Sequence, residues 1–295
     1  MFIRALFLMA SSLAAAVIGP VPARAARPPS RPDVLTSRLE IGTSHVITSK
    51  VLGERRVLNV VLPAGYAAAP QRRYPVLYLI DGGVEQDLLS VAGLARSGAL
   101  WGRSADAIVV GIETKDRRRE LVGPTHDPAL LKRYPTAGAS AQFRDFIRTE
   151  VKPLIEQRYR TSGHDVVMGE SLAGLFIVET YLADPALFGG YAAIDPSLWW
   201  DQGALSRSAA TRVGKGQRSR KLLVAAAREQ LEEPDAYDRL VSVVRGADLD
   251  LCLMPRPDQT HATIYQQLAP AVLQLLLPPE HPAPPEYGFV ATCSR

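Results

Sequence analysis

The sequence predicts an α/β fold with a mostly parallel central sheet covered by helices on both faces. Three observations lead there. Short continuous apolar runs, such as Val76–Ile80 and Ala107–Ile112, suit strands buried on both faces. These runs alternate with stretches of helical spacing, the rhythm of strand–helix–strand units. And Val166-Val167-Met168-Gly169-Glu170-Ser171 passes directly into an apolar stretch through Leu172, Leu175, Ile177, Val178 and Tyr181, a strand that turns at Gly-x-Ser into a helix.

Whole-chain numbers narrow the class. The 295 residues are 47% hydrophobic and 22% charged, ordinary for a folded globular protein. Residues 1–25 read as a targeting segment: Arg4 gives the positive start, Ala5–Ile18 the apolar stretch, and Ala23-Arg24-Ala25 a small-x-small cleavage site. An uncleaved anchor is the competing reading. Losing the two arginines of this segment takes the formal charge from +4 to +2, so a nucleic-acid partner has little support. No other run is long and apolar enough to span a membrane, and the mature protein is expected in the periplasm or outside the cell. Cys252 and Cys293 are the only cysteines. In an oxidising compartment they form one disulfide, or else remain a buried thiol and a tail thiol. Neither belongs to a ligand cluster and no paired-His motif occurs, so no metal or other cofactor is expected.

Taken in order, residues 26–36 are a Pro- and Arg-rich lead-in. Ile41–Val51 and Arg56–Leu62 follow as an antiparallel strand pair, then the strand Val76–Ile80, which ends in Asp81-Gly82-Gly83 with a helix beginning near Val84. After the strand Ala107–Ile112 comes a long connection, 113–138, of the kind that is usually functional or mobile. Ser140 is expected to cap a helix carrying Phe143, Ile147, Val151, Leu154 and Ile155, kinked at Pro153. Further strands are expected at Asp165–Met168, Tyr191–Ile194, Leu222–Ala227 and Leu249–Met254. Helices are expected from Leu172, around Gly203–Arg212, over Pro234–Arg245, and from His261 to Leu277. Five prolines between 278 and 285 then leave an extended tail, 278–295. The body, 37–277, reads as one domain.

The chemistry centres on Ser171. The turn leaves little room, so small residues must flank the serine, and the following helix aims its amides at it. Ala173 stands where a second glycine is usual. The plain alternative is a surface serine on an ordinary turn. A serine needs a base, and the base an orienting acid. In α/β hydrolases these follow in the order serine, acid, histidine. Among the five histidines, His261 alone comes after the last core strand and before the last helix. Glu229, two residues past the strand Leu222–Ala227, is the expected acid, with Glu232 and Asp235 as rivals. The oxyanion needs two amide donors: Leu172, next to the nucleophile, and Gly83, beside Gly82 in a loop whose glycines equally suit a turn alone. Gly82, Arg117–Arg119, His126, Trp199 and Trp200 are expected to line the pocket. Clustered Arg with Trp suits an anionic aromatic ligand; a solvated loop is the plainer account of the arginines.

These residues resemble the Putative esterase family of the α/β hydrolases, which includes bacterial trilactone siderophore esterases. The resemblance rests on Tyr78-Leu79-Ile80-Asp81-Gly82, Arg119-Glu120-Leu121, Lys152-Pro153-Leu154-Ile155-Glu156-Gln157-Arg158-Tyr159, the Ser171 turn, Asp195-Pro196-Ser197-Leu198-Trp199-Trp200 and Thr260-His261-Ala262. It implies the α/β-hydrolase fold and serine ester hydrolysis, with Ser171 as nucleophile and His261 as base, on a small-molecule ester such as a ferric siderophore. Members differ in whether a third acid is needed. Ala173 departs from the family pattern, and so does Asp195, which stands where a serine is common and puts a carboxylate near the C-terminal edge of its strand. An acyltransferase using the same acyl-enzyme, and a non-catalytic binding protein on this scaffold, are the alternative readings.

Overall fold

The computed structural model describes residues 34–281, 284, 286 and 290–294. The expected targeting segment, 1–25, and most of the lead-in lie outside the described residues. Residues 1–40 separate as a unit from 41–295, and 34–40 carry no regular structure.

The second unit is built on one eight-stranded sheet: β1 (Thr43–Thr48), β2 (Arg55–Val61), β3 (Tyr74–Ile80), β4 (Ile108–Ile112), β5 (Thr161–Glu170), β6 (Gly190–Ile194), β7 (Lys221–Ala227) and β8 (Leu251–Arg256). Their spatial order is β1-β2-β4-β3-β5-β6-β7-β8. β2 runs antiparallel to both β1 and β4, and every other pairing is parallel. The expected antiparallel pair and parallel sheet are both present. Alternation sorts side chains to the two faces: Tyr78 and Ile80 join one core with Phe143, Phe176 and Tyr191, while Leu77 and Leu79 join the other with Leu268 and Val272.

Among the described residues, ten α-helical segments lie between the strands or, for α10, after the last: α1 (Leu88–Leu100), α2 (Arg117–Glu120), α3 (Pro128–Arg133), α4 (Ser140–Phe146), α5 (Lys152–Arg158), α6 (Leu172–Ala183), α7 (Trp200–Arg212), α8 (Arg228–Glu232), α9 (Asp235–Gly246) and α10 (Ile264–Leu276). α6 is buried from Leu172 through Leu182, as its all-round apolar sequence requires. Several boundaries differ from expectation. The chain makes a turn at 83–87 before α1 begins at Leu88. Ser140 is not a cap: its hydroxyl donates to the Glu179 carboxylate at 2.9 Å, and Ala139 holds the cap position. Between α4 and α5 the kink is a π-helical turn, Ile147–Val151, which relieves the missing N–H and ring clash of Pro153. α10 starts at Ile264 rather than His261. The 113–138 connection carries α2 and α3, and α8 follows β7 directly.

The chain passes from β3 to β4 on one side, then to β5 on the other, so β3 and β5 are adjacent at a reversal of strand order. The crevice outside the C-terminal ends of such strands is where open α/β sheets bind ligands. The Asp81–Gly83 loop and Ser171 sit at those two ends.

The described part of the tail is tied back. Cys252 in β8 is bonded to Cys293, and Leu253 pairs with Ser294 through reciprocal backbone hydrogen bonds of 2.9 Å.

Candidate active site

Ser171 is held in a strained backbone conformation, φ 61° and ψ −119°, which a non-glycine residue keeps only where its surroundings over-determine it. Those surroundings are specific. The Ser171 amide donates to the Ile194 carbonyl, and its carbonyl accepts from Leu175 and Ser197, so β5, β6 and α6 all grip the turn. Space explains the flanking residues. A Cβ on Gly169 would come within 2.7 Å of the Ala173 Cβ, and one on Gly174 within 3.0 Å of Pro196 Cα. Ala173 itself has no positive φ. The need for glycine therefore falls at 169 and 174, and alanine fits at 173 without strain.

A cavity of about 500 Å³ opens beside Ser171, lined by His261, Asp195, Ser197, Trp199, Tyr237 and the acidic stretch from Glu229 to Glu233. Ser171 Oγ lies 3.2 Å from Ser197 Oγ. His261 sits in the turn before α10, and its Nδ1 is 2.5 Å from Asp195 Oδ2. Asp195 is buried, with φ 42°, and its other oxygen accepts the Ala227 amide at 2.8 Å. Bonded at Nδ1 to a carboxylate, the imidazole carries its proton there and presents the Nε2 lone pair. The hydrogen bond to Asp195 holds the His261 pKa above its usual 6.5, with the charges of Asp195, Glu170 and Glu229 adding to it against partial burial. Burial likewise pushes the Glu170 carboxyl up to about 7, opposed by His261 and supported by Asp87 and Asp195.

Glu229 follows β7 as expected but meets the main chain of His261 and not its ring. Its Oε2 accepts the backbone N–H of His261 at 3.1 Å, and the imidazole is held by Asp195 instead. The ends of β6 and β7 are neighbours, so either strand can present a carboxylate to this ring. Asp195, at the end of β6, reaches the side chain, and Glu229, in α8 after β7, reaches only the main chain.

The expected oxyanion donors differ in availability. Leu172 opens α6, where amides lack intrahelical acceptors. The Gly83 amide donates to Gln86 Oε1 at 2.9 Å. Gly82 serves packing: a Cβ there would lie 2.2 Å from Gly111 Cα, so β3 and β4 close up only with glycine at both positions.

The expected substrate contacts divide. Trp199, 60% exposed, lines the cavity; Gly82, Arg118, Arg119, His126 and Trp200 do not. Arg119 is paired with Glu54 and Glu120, and Arg117 with Asp81 at 2.8 Å. The Arg118 guanidinium lies 4.7 Å over the Tyr134 ring and 5.8 Å from that of Trp200. His126 is exposed on the long connection. Asp195, Ser197, Tyr237 and Glu233 enter the cavity wall without having been expected there, and Glu232, expected only as a rival acid, lines it too. The one signal available was Asp195 as an odd residue at a strand's C-terminal edge. Among the described residues no group of three or more His, Cys, Asp or Glu side chains has the arrangement to hold a metal ion, and no helix is long and apolar enough to cross a membrane.

Sheet order, strained serine turn and crevice define an α/β hydrolase. Within that class the family model described as Putative esterase matches residues 49–249, and the chain belongs to that family. It is 26% identical over 287 residues to the ferri-bacillibactin esterase BesA of Bacillus subtilis, covering 84% of this chain and 96% of that one. Among solved structures, an IroE-like serine hydrolase from Shewanella oneidensis is 27% identical, with a TM-score of 0.70 over 80% of each chain. The siderophore hydrolase EstB of Aspergillus nidulans shares the fold at 18% identity, with a TM-score of 0.67 over 86% of this chain and all of that one.

Proposed function

We propose that the protein is an exported serine esterase that hydrolyses carboxylic esters through an acyl-enzyme on Ser171. The observation that carries this reading is the strained Ser171 turn opening on the same cavity as an imidazole anchored by a buried carboxylate.

In this mechanism the Ser171 hydroxyl leaves Ser197 and gives its proton to His261 Nε2 as Oγ attacks the ester carbonyl carbon. Asp195 fixes the ring and stabilises the imidazolium. The Leu172 amide holds the developing oxyanion, joined by the Gly83 amide once the Gln86 side chain releases it. His261 returns the proton to the departing alcohol oxygen. Water, deprotonated by the same histidine, then attacks the acyl carbon and frees the acid and Ser171. Asp195, rather than Glu229, acts as the orienting acid.

Export is supported by residues 1–25 and by the Cys252–Cys293 bond, which suits an oxidising compartment. The relatives' names make siderophore esters the first substrates to test. Incubating the mature protein with simple aryl esters and with apo and ferric trilactones is expected to release acid from at least one. Intact Ser171 protein that turns over no ester would sink the proposal. Supplying an acceptor alcohol separates hydrolysis from acyl transfer, since transfer leaves a new ester in place of the acid.

A further inference from the structure

One carboxylate next to the nucleophile has no part in the mechanism above. Glu170 is the last residue of β5 and immediately precedes Ser171. Side chains alternate along a strand, so Glu170 falls on the face of Val166 and Met168, whose core includes Leu88 of α1 and Tyr265 of α10. His261 sits in the turn that leads into α10. Across the sheet Glu170 is in register with Ile194 of β6, one residue before Asp195. It is therefore flanked by the nucleophile along the chain and by the anchor of the imidazole on the neighbouring strand.

Nothing in the fold neutralises this charge. Glu170 Oε1 is buried and accepts no hydrogen bond. Among the described residues the carboxylate forms no ion pair. The guanidinium of Arg117, from α2, is bound to Asp81 at the end of β3. The other charges that Glu170 feels are those of His261, of Asp87 in the turn before α1, and of Asp195. From α10 the Tyr265 hydroxyl is also buried without a partner, facing the charges of Asp87, Glu170 and Asp81. Burial pushes the Asp87 carboxyl up to about 6, with Asp81 adding and Arg117 opposing. The same cause takes Glu170 to about 7. Leaving a buried carboxylate unpaired costs stability, and such groups cluster where chemistry is done.

We propose that Glu170 is a positioning residue for acyl transfer: its unpaired carboxylate stabilises the imidazolium that forms on His261 as Ser171 loses its proton, adding a second negative charge to that of Asp195. This rests on Ser171 as nucleophile and His261 as base. A carboxylate already neutralised by a cation would lend the ring no such help, which accounts for its lack of a partner. Below about pH 7 Glu170 carries a proton, so the help is present only above that pH. A change of one unit in the His261 pKa corresponds to about tenfold in proton affinity, and a similar factor is expected in rate.

The test compares the parent protein, Glu170→Gln and Glu170→Asp in their rates of phosphonylation by a fluorophosphonate across the pH range around neutrality. Well above pH 7, Glu170→Gln should react about tenfold more slowly than the parent. Well below it, the variant should be equal or faster, because without the carboxylate His261 loses its proton at lower pH. Glu170→Asp keeps the charge and should recover part of the lost rate. Stability gives a second readout. An unfolded glutamate ionises near pH ~4.3 and the native Glu170 only near 7, so the native state loses stability as pH rises through this window. Glu170→Gln should therefore match the parent's denaturation midpoint below the window and exceed it above. A loss of rate of equal size at every pH, no loss at alkaline pH, or a variant less stable than the parent there overturns the role of Glu170 and leaves Ser171 standing. A parent protein that is not labelled at Ser171 overturns the Ser171 reading and this proposal with it.

Discussion

His261 is gripped twice, by Asp195 at its ring and by Glu229 at its main chain, and the two grips predict different phenotypes. Asp195→Asn should lower kcat by about three orders of magnitude, since an amide neither fixes the working tautomer nor stabilises the imidazolium. Glu229→Ala should cost less than about tenfold, because it frees only one exposed amide. The pH profile gives a second discriminator. The base acts when neutral, and Asp195 raises its pKa, so the acidic limb of kcat/KM should have its midpoint above 6.5. Removing that carboxylate should move the limb to lower pH. A limb unmoved in Asp195→Asn would take Asp195 out of the site. At this scale the sequence was partly legible. Ser171 and His261 stand out because a strand–turn–helix and a position after the last strand are visible in one dimension. The carboxylate that meets the ring was not legible, because adjacent strands end side by side, and separation along the chain cannot say which one reaches it.

Among the elements, α2 and the segment leading to it depend on a buried ion pair. Arg56 in β2 is fully buried, and its guanidinium meets both oxygens of Glu120 at 2.7 and 2.8 Å while lying over Phe143 and Phe146. Glu120→Ala leaves that cation with only the Glu54 carboxylate and the Glu113 carbonyl and should cost about 1–3 kcal/mol, measurable as a lower denaturation midpoint at unchanged slope. Unaltered stability would show that water reaches the guanidinium. The long connection looked structureless in sequence because its order comes from this tertiary anchor rather than from apolar periodicity. Arg119 likewise looked like a ligand residue because its partners, Glu54 and Glu120, include one 65 positions away. The π-helical turn before Pro153 was visible as a kink, since proline's missing donor is a local property.

For the whole molecule, the parallel sheet and its helical cover followed from apolar runs that only a two-sided burial explains. What sequence left open was closure at the chain's end. Cys252 and Cys293 are separated by 41 positions, and a cross-link over such a loop stabilises by about 2–4 kcal/mol. Cys293→Ser should therefore lower Tm by about 5–10 °C, and reductant should do the same to the parent protein but not to the variant. Equal melting in all three would mean that the bond constrains little of the unfolded chain.

Every step of the account runs through one hydroxyl, so its reactivity is the most direct test. Treating the folded mature protein with a fluorophosphonate and mapping the adduct by peptide mass spectrometry should find a single phosphonylated residue, Ser171. Labelling should disappear in Ser171→Ala and slow strongly in Asp195→Asn. A native protein that stays unlabelled, or one labelled equally well in Ser171→Ala, would contradict the assignment of Ser171 as the nucleophile.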